Sequence, residues 1–196
     1  MQKINRVVLV QPNMKWMDWN WKTSWDIHPM NLCLIGAMIK DDYDVHIVDA
    51  NLEEYTQEQF KKVINDLKPD LVGLTLLTNE YSDVAHLCGK LVKEVSSDII
   101  TVLGGVYATV SYKVIHEDLN FDYICVGEGE YTFQQLLGYL NGKGEFPQEG
   151  FLGRKQGEVT DPQKAKRVLI QNLDELPFPA WDLVDYNRYT KRVGKV

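Results

Sequence analysis

A chain of 196 residues, 44% hydrophobic and 25% charged, has the composition of an ordinary globular protein with one full core and a short appendage. Its formal net charge of −7 argues against nucleic acid as the main partner, because phosphate binding depends on clustered lysine and arginine. No apolar run approaches the ~20 residues that span a bilayer, and the N-terminus lacks the apolar stretch of a signal peptide. We therefore expect a cytoplasmic protein that does not bind a membrane.

Strands and helices alternate along the predicted chain. Short apolar strands are predicted at 4–10, 44–50, 71–77, 99–105 and 122–130. The clearest helix follows the second strand: it begins with a capping-box pattern from Thr56 to Gln59 and stops at Pro69. The helix before it carries a proline, Pro29, suited to a first turn.

The strands are apolar throughout rather than alternating, which is typical of a parallel sheet covered by helices on both faces. Five strand–helix units predict a doubly wound, flavodoxin-like α/β domain with a five-stranded parallel sheet over residues 1–142, ended by Gly142 as a helix stop. Residues 143–196 are predicted to add a small β-hairpin that turns at Gln156–Gly157, and then an extended connector interrupted by prolines.

In open parallel sheets, ligands bind at the carboxyl ends of the strands, so the residues there are candidates for a site. The third strand ends in Thr75-Leu76-Leu77-Thr78 and the fourth ends in Gly104-Gly105. A pair of glycines lets a bulky flat group approach the backbone closely. A tight turn with positive φ would also explain why glycine stands at these positions.

The fifth strand ends in Gly127-Glu128-Gly129-Glu130, which is ambiguous for a different reason. Its glycines suit a phosphate loop, but its two carboxylates repel an anion, and neither lysine nor arginine stands beside them in the sequence. The chain also lacks a GxGxxG fingerprint. A nucleotide-binding loop is therefore disfavoured.

Six motifs occur in a fixed order: "HPMNL", "VHIVDA", "PDLVGLTLLT", "GGVYAT", "DYICVGEGEYTF" and "LDELPFPAWDLVD". As an ordered set covering nearly the whole chain, they resemble the N-terminal cobalamin (vitamin B12)-binding region of cobalamin-dependent radical SAM enzymes. Thr75 stands in the serine position of that family's S-x-L element and Leu77 in its leucine position, and Gly104-Gly105 matches its glycine pair.

The resemblance implies a site for cobalamin. In such domains the corrin ring lies across the strand ends and the dimethylbenzimidazole tail enters beside the third and fourth strands. Thr75 and Leu77 face the same side of their strand, so the first can hydrogen-bond the tail while the second packs on it. The resemblance implies cofactor binding, and no catalytic role, for these residues: Asn13, His28, Thr75, Leu76, Leu77, Thr78, Gly104, Gly105, Val106, Tyr107, Gly127, Glu128 and Gly129.

His28 raises a separate hypothesis. Many cobalamin domains hold cobalt through the histidine of D-x-H-x-x-G, whose aspartate orients the imidazole. Here the corresponding residues run from Asp26 through His28 to Asn31, so asparagine replaces the final glycine. Radical SAM relatives commonly lack this histidine, and His28 just before Pro29 is equally explained as a helix-entry residue.

Four tryptophans precede His28 in one loop: Trp16, Trp19, Trp21 and Trp25. So large an apolar group is expected to be buried against something. The corrin's lower face, a radical SAM barrel and the loop's own packing are three alternatives that the sequence leaves open.

The three cysteines bear on what the chain does alone. Cys33, Cys88 and Cys125 are 55 and 37 positions apart, so they form no CxxxCxxC motif for the [4Fe–4S] cluster that cleaves S-adenosylmethionine. Their spacing predicts buried free thiols rather than disulfides or a metal site.

The resemblance therefore implies the cobalamin-binding domain of a radical SAM enzyme, a methyltransferase or a cyclase-like enzyme, truncated before its iron–sulfur domain. S-adenosylmethionine and the cluster would belong to that radical SAM domain, which would be the partner of this one. The alternative is a stand-alone flavodoxin-like cobalamin carrier or sensor, or another small-molecule-binding regulatory module.

Overall fold

A computed structural model describes residues 3–17 and 27–193. The strands of the described part are β1 (Arg6–Gln11), β2 (Asp44–Asp49), β3 (Leu71–Thr75), β4 (Ile100–Gly104), β5 (Tyr123–Cys125) and β6 (Phe151–Leu152). The helices are α1 (Met30–Ile39), α2 (Gln57–Leu67), α3 (Ser82–Val95), α4 (Gly105–Ile115), α5 (Glu130–Leu140) and α6 (Tyr186–Val193).

The strands form one sheet in the order β2-β1-β3-β4-β5-β6. Strands β1 to β5 are parallel, and their order 2-1-3-4-5 is that of flavodoxin-like sheets. The predicted doubly wound α/β class is confirmed, and so is the helix start at Thr56, where the side chains and backbones of Thr56 and Gln59 form a complete capping box.

The predicted number of five strands is wrong by one. Phe151 and Leu152 form a sixth strand, antiparallel to β5, at the edge of the sheet. Both residues are buried, so they cover an edge whose backbone groups would otherwise face solvent. The predicted turn follows, with Gly157 at φ +91° and the Gly153 N–H donating to the Val159 carbonyl over 2.9 Å.

Side chains alternate between two cores, one on each face of the sheet. One core holds Val8, Leu74 and Leu103 under α2, α3 and α4, and the other holds Leu9 and Val102 under α1 and α5. The predicted buried free state of Cys33, Cys88 and Cys125 is confirmed.

The C-terminal segment of the described chain packs against α1 and the end of β2. The Ala180 N–H donates to the Cys33 carbonyl over 2.9 Å, and the Tyr189 hydroxyl donates to Asp49 Oδ2 at the end of β2 over 2.9 Å. A domain boundary at residue 142 stays a prediction. Among the described residues, no helix is both long enough and apolar enough to cross a membrane.

Candidate functional site

A cleft of about 490 Å³ lies at the carboxyl ends of β3, β4 and β5, on the face of the sheet that α1 and α5 cover. We call it the main cleft. Eight of the residues predicted to bind a cofactor line it together: Thr75, Leu77, Gly104, Gly105, Val106, Gly127, Glu128 and Gly129. Residues that lie far apart in the sequence thus meet at one edge of the sheet, as expected for a ligand site of a doubly wound fold.

Missing side chains make the space. Gly73 and Gly104 lie in neighbouring strands and both line the main cleft, next to the apolar side chains of Leu9, Val102 and Phe133. A Cβ atom at Gly104 would lie 3.6 Å from the Cβ atom of Cys125, an ordinary contact, so the backbone tolerates a side chain there that the sequence does not supply. The cleft therefore reflects small residues at the strand ends.

Gly105 is required for the backbone itself. Its φ is +88°, and a Cβ atom there would lie 2.5 Å from the Leu76 carbonyl oxygen and 2.8 Å from Thr75 Oγ1. Of the two explanations open in the sequence, the tight turn holds for Gly105. Gly104 has an extended backbone and lines the main cleft, so close approach of a ligand group stays a prediction for it.

Thr75 is held in a defined orientation. It is buried, and its Oγ1 accepts a hydrogen bond from Asn31 Nδ2 of α1 over 2.8 Å. In the described part of the chain its own O–H has no acceptor. The hydroxyl proton is therefore available to a ligand atom with a lone pair in the main cleft, which Thr75 lines.

A segment from the C-terminal part of the chain forms one wall. The Glu128 N–H donates to the Val168 carbonyl over 3.0 Å, and the Glu128 carboxylate accepts a hydrogen bond from the Ile170 N–H. These bonds place Arg167 in the lining of the main cleft, although Arg167 is 39 positions from Glu128 in the sequence. Its guanidinium makes no ion pair among the described residues.

Glu130 lines the same cleft with a carboxylate that is only half satisfied. One oxygen accepts a hydrogen bond from its own backbone N–H, whereas Oε2 is buried and has no partner among the described residues. Burial raises the pKa of Glu130, and the charge of Glu128 adds to the effect. Burial, together with the Glu130 charge, raises the pKa of Cys125 in the same cleft to about 12.

Five of the predicted residues lie outside the main cleft, one of them His28. Leu76 packs in the core on the opposite face, where the Tyr107 hydroxyl is hydrogen-bonded to His86 Nε2 over 2.8 Å. Asn13 accepts from the Lys15 N–H over 2.9 Å and donates to the Tyr55 carbonyl over 3.0 Å, and Thr78 accepts from the Glu80 N–H over 3.4 Å.

His28 lines a second, smaller cleft of about 40 Å³ next to the first. Its ring lies 5.1 Å from that of Trp181, 5.7 Å from that of Tyr186 and 6.4 Å from that of Tyr189, and its Nδ1 is buried without a partner among the described residues. The imidazole is therefore packed among aromatic rings of the C-terminal segment.

The loop before His28 is described only in part. Trp16 packs on Phe60 with ring centroids 5.1 Å apart and donates from Nε1 to the Tyr55 carbonyl over 2.7 Å. Trp19, Trp21, Trp25 and Asp26 lie outside the described residues, so the predictions for them stay predictions.

Comparison with known proteins identifies the family. The model of the B12 binding domain matches residues 22–137. The chain belongs to this family. This B12-binding domain is 32% identical over 165 residues to an uncharacterized methyltransferase of Pyrococcus horikoshii, covering 82% of this chain and 35% of that protein. It is 28% identical over 197 residues to the anaerobic magnesium-protoporphyrin IX monomethyl ester cyclase of Rubrivivax gelatinosus, covering 94% and 34%.

The B12-binding domain thus spans about a third of the length of these relatives. Among solved structures, it is similar to the cobalamin-dependent S-adenosylmethionine radical enzyme OxsB with aqua-cobalamin bound, with a TM-score of 0.72 at 17% identity. That match covers 96% of this chain and 25% of OxsB, and it supports the fold.

Sequence reasoning missed Gly73, Asn31, Glu130 and Arg167 as lining residues of the site. A glycine inside an apolar strand is itself a signal of close backbone approach, so Gly73 was open to prediction. Asn31 and Arg167 carry no local signal, because only the fold brings α1 and the 166–170 segment to the ends of β3 and β5.

Proposed function

We propose that this B12-binding domain holds the nucleotide tail of cobalamin in the main cleft, with the corrin ring across the carboxyl ends of β3 and β4. The observation that supports the proposal most strongly is the cleft itself, floored by Gly73 and Gly104 and lined by apolar side chains of α1 and α5. A flat apolar base fits such a slot because no side chain stands in it.

The polar groups of the cleft suit the same tail. The benzimidazole base has a ring nitrogen that accepts hydrogen bonds once it has left cobalt, and Thr75 has a hydroxyl proton without an acceptor in the described chain. Asn31 occupies one acceptor position of the Thr75 oxygen over 2.8 Å and leaves the hydroxyl proton for the ligand. Thr75 and Asn31 thus act as a pair: Thr75 binds the tail, and Asn31 holds the Thr75 side chain in place.

The mouth of the main cleft suits the corrin ring. Leu77 and Val106 are 43% and 53% exposed there, and exposed apolar side chains beside a cleft are typical of a surface that a ligand covers. Bound cobalamin supplies a cobalt centre that carries a methyl group or changes oxidation state. This chain's own residues bind the cofactor and limit the access of water to it.

The remaining predicted residues have supporting roles in the proposal. Gly127, at φ +103°, leaves room for the Val168 backbone that forms the wall, and Glu128 holds the 166–170 segment there. Gly129 lines the cleft beside them. Leu76 and Tyr107 support the lining from the opposite face, Thr78 caps the turn that begins at Asn79, and Asn13 fixes the loop after β1. His28 lies beside the cofactor without ligating cobalt, because its ring packs on Trp181 and Tyr186.

We also propose that the domain serves a radical SAM methyltransferase or cyclase-like enzyme of the cytoplasm, whose radical SAM domain binds S-adenosylmethionine and a [4Fe–4S] cluster. The relatives that this chain matches over a third of their length, a methyltransferase and a cyclase, support this proposal. Reading the gene beyond residue 196 tests it. A downstream CxxxCxxC motif supports it, whereas a stop codon there favours a stand-alone carrier.

Binding of cobalamin in the main cleft can be tested with this chain alone. Purified protein is mixed with hydroxocobalamin, desalted, and examined by visible spectroscopy. We expect the wild type to retain the corrin absorbance and Gly104→Leu to lose it, because a leucine side chain fills the main cleft. Gly104 has an extended backbone at φ −128°, which accepts leucine without strain.

Val114→Leu is the matched control, since it adds bulk at an exposed position of α4, the helix that follows Gly104, outside the cleft. This variant should retain cobalamin as the wild type does. A colourless wild type would contradict the function. Full retention by Gly104→Leu, with a folded circular dichroism spectrum, would place the tail elsewhere.

A further inference from the structure

Binding of the benzimidazole base in the main cleft does not explain the unpaired carboxylate oxygen of Glu130. Glu130 is the first residue of α5, and its side chain lines the cleft. Its Oε2 atom is buried and has no hydrogen-bond partner in residues 3–17 and 27–193. A buried carboxylate oxygen without a donor costs free energy, so its retention calls for a partner that the chain alone does not provide.

The groups around Glu130 are poor partners. The titratable and charged side chains that line the same cleft are Cys125 of β5, Glu128 of the following loop and Arg167 of the 166–170 segment. Glu128 repels the Glu130 carboxylate, and Arg167 forms no ion pair with either glutamate among the described residues. Asn31 of α1, whose side-chain amide also lines the cleft, donates to Thr75 instead.

We propose that Glu130 binds a ribose hydroxyl of the cobalamin nucleotide tail and thereby selects corrinoids that carry a complete tail. The inference rests on the proposed seating of that tail in the main cleft. It adds a residue that recognises the sugar, whereas Thr75 and the glycines accommodate the base.

The chemistry of the tail leads to this assignment. A carboxylate oxygen accepts hydrogen bonds, so its partner has to be a donor. The dimethylbenzimidazole base has no N–H group once it is linked to the sugar, and the phosphodiester has no proton at neutral pH. The hydroxyls of the ribose are therefore the donors within the nucleotide itself, and an O–H to carboxylate bond is among the stronger hydrogen bonds.

The assignment makes a prediction about pH with a definite sign. Burial raises the pKa of Glu130 in the free chain. A hydroxyl that donates to the carboxylate favours its charged form, so cobalamin should bind more tightly as pH rises through that raised pKa, with no further gain above it. A protonated Glu130 that donates to the base nitrogen would give the opposite slope.

The test compares two corrinoids and two variants of the chain. Dissociation constants are measured for hydroxocobalamin and for cobinamide, which lacks the nucleotide, with wild type, Glu130→Gln and Glu130→Leu. We expect Glu130→Leu to weaken hydroxocobalamin binding about tenfold or more and cobinamide binding hardly at all, because only the first ligand offers the ribose. Glu130→Gln keeps an acceptor oxygen and should lose less.

Two further readouts separate recognition from a structural role. The ratio of the wild-type and Glu130→Gln affinities for hydroxocobalamin should rise with pH, since the amide does not titrate. The free chain should keep nearly the same thermal stability in both variants, because the buried Oε2 atom has no bond to lose among the described residues and only the bond to the backbone N–H of residue 130 is weakened. A structural glutamate would instead give lower melting temperatures.

The outcomes distinguish this inference from the function it rests on. A wild-type chain that binds neither corrinoid contradicts the proposed function. A wild-type chain that binds both, with Glu130→Leu matching it or weakening both ligands equally, overturns only the role of Glu130. A falling affinity with rising pH that Glu130→Gln abolishes also overturns the ribose assignment.

Discussion

The two faces of the sheet differ most at the carboxyl ends of β3 and β4. On one face, Leu74, Leu76 and Leu103 fill the space under α3 and α4, and none of them is more than 3% exposed. On the other face, Gly73 and Gly104 alternate with those leucines along the same strands and leave the main cleft open. The same short stretch of each strand thus contributes to a closed core on one face and to the main cleft on the other.

The comparison separates stability from binding within single strands. Period-two alternation sends neighbouring residues to opposite faces, so a leucine and a glycine adjacent in sequence take on different tasks. The leucine face buries apolar area and stabilises the fold. The glycine face gives up that burial, and the lost stabilisation is the cost of keeping a slot for a ligand.

The largest expected effect is a loss of stability on the leucine face, the face of the sheet that holds Leu74, Leu76 and Leu103. Leu103→Ala removes a fully buried side chain and should lower the free energy of unfolding by about 2–5 kcal/mol, measured by urea denaturation. The folded fraction should bind hydroxocobalamin as the wild type does, because Leu103 does not line the main cleft.

The neighbouring residue is the control for this effect. Gly104→Ala adds a methyl group at ordinary contact distances and should change the free energy of unfolding by less than about 1 kcal/mol. If Leu103→Ala instead weakened cobalamin binding as strongly as Gly104→Leu, the two faces would be coupled, and the separation of their tasks would be wrong.

A second expected effect concerns His28, which lies where the two regions meet. His28→Ala removes ring contacts with Trp181 and Tyr186 and should lower the free energy of unfolding by about 1–2 kcal/mol. The electron paramagnetic resonance spectrum of bound cobalt(II) cobalamin should stay unchanged. Loss of a nitrogen hyperfine splitting in the variant would instead identify His28 as a cobalt ligand.

Sequence patterns were sufficient for the parallel sheet and for the clustering of the strand-end residues. Apolar strands, the capping box at Thr56 and the Gly104-Gly105 pair are local signals, and each has a physical meaning within a few residues. Strand β6 lies in the stretch predicted to form the hairpin that turns at Gln156–Gly157, but its pairing with β5 gave no local signal, because two residues carry no periodicity and their partner strand is distant in the sequence.

The same limit applies inside the site. Asn31 reaches Thr75 across 44 positions, and Arg167 reaches the cleft because Glu128 binds the backbone of a distant segment. Tyr107 follows the glycine pair in sequence, yet the first turn of α4 directs its hydroxyl to His86 on the opposite face. Adjacency in a motif therefore does not imply a shared surface.

The smallest expected effect concerns Arg167, a charged residue in the wall of the main cleft. Arg167 lines the main cleft, and the tail that we place there carries one phosphodiester charge. Arg167→Gln should raise the dissociation constant for hydroxocobalamin a few-fold at low ionic strength, measured by titration calorimetry, since an exposed ion pair contributes about 0–1 kcal/mol. The difference from wild type should shrink at higher salt because ions screen exposed charges.

Lys166→Gln is the matched control, because Lys166 pairs with Glu149 over 2.9 Å and does not line the cleft. Equal losses in the two variants would point to the general charge of the segment and not to a contact at the wall. Cobinamide, which lacks the phosphodiester, should bind wild type and Arg167→Gln alike. A loss for cobinamide as well would move Arg167 from the tail to the corrin ring, and the glycine face would then recognise the ring as well as the nucleotide.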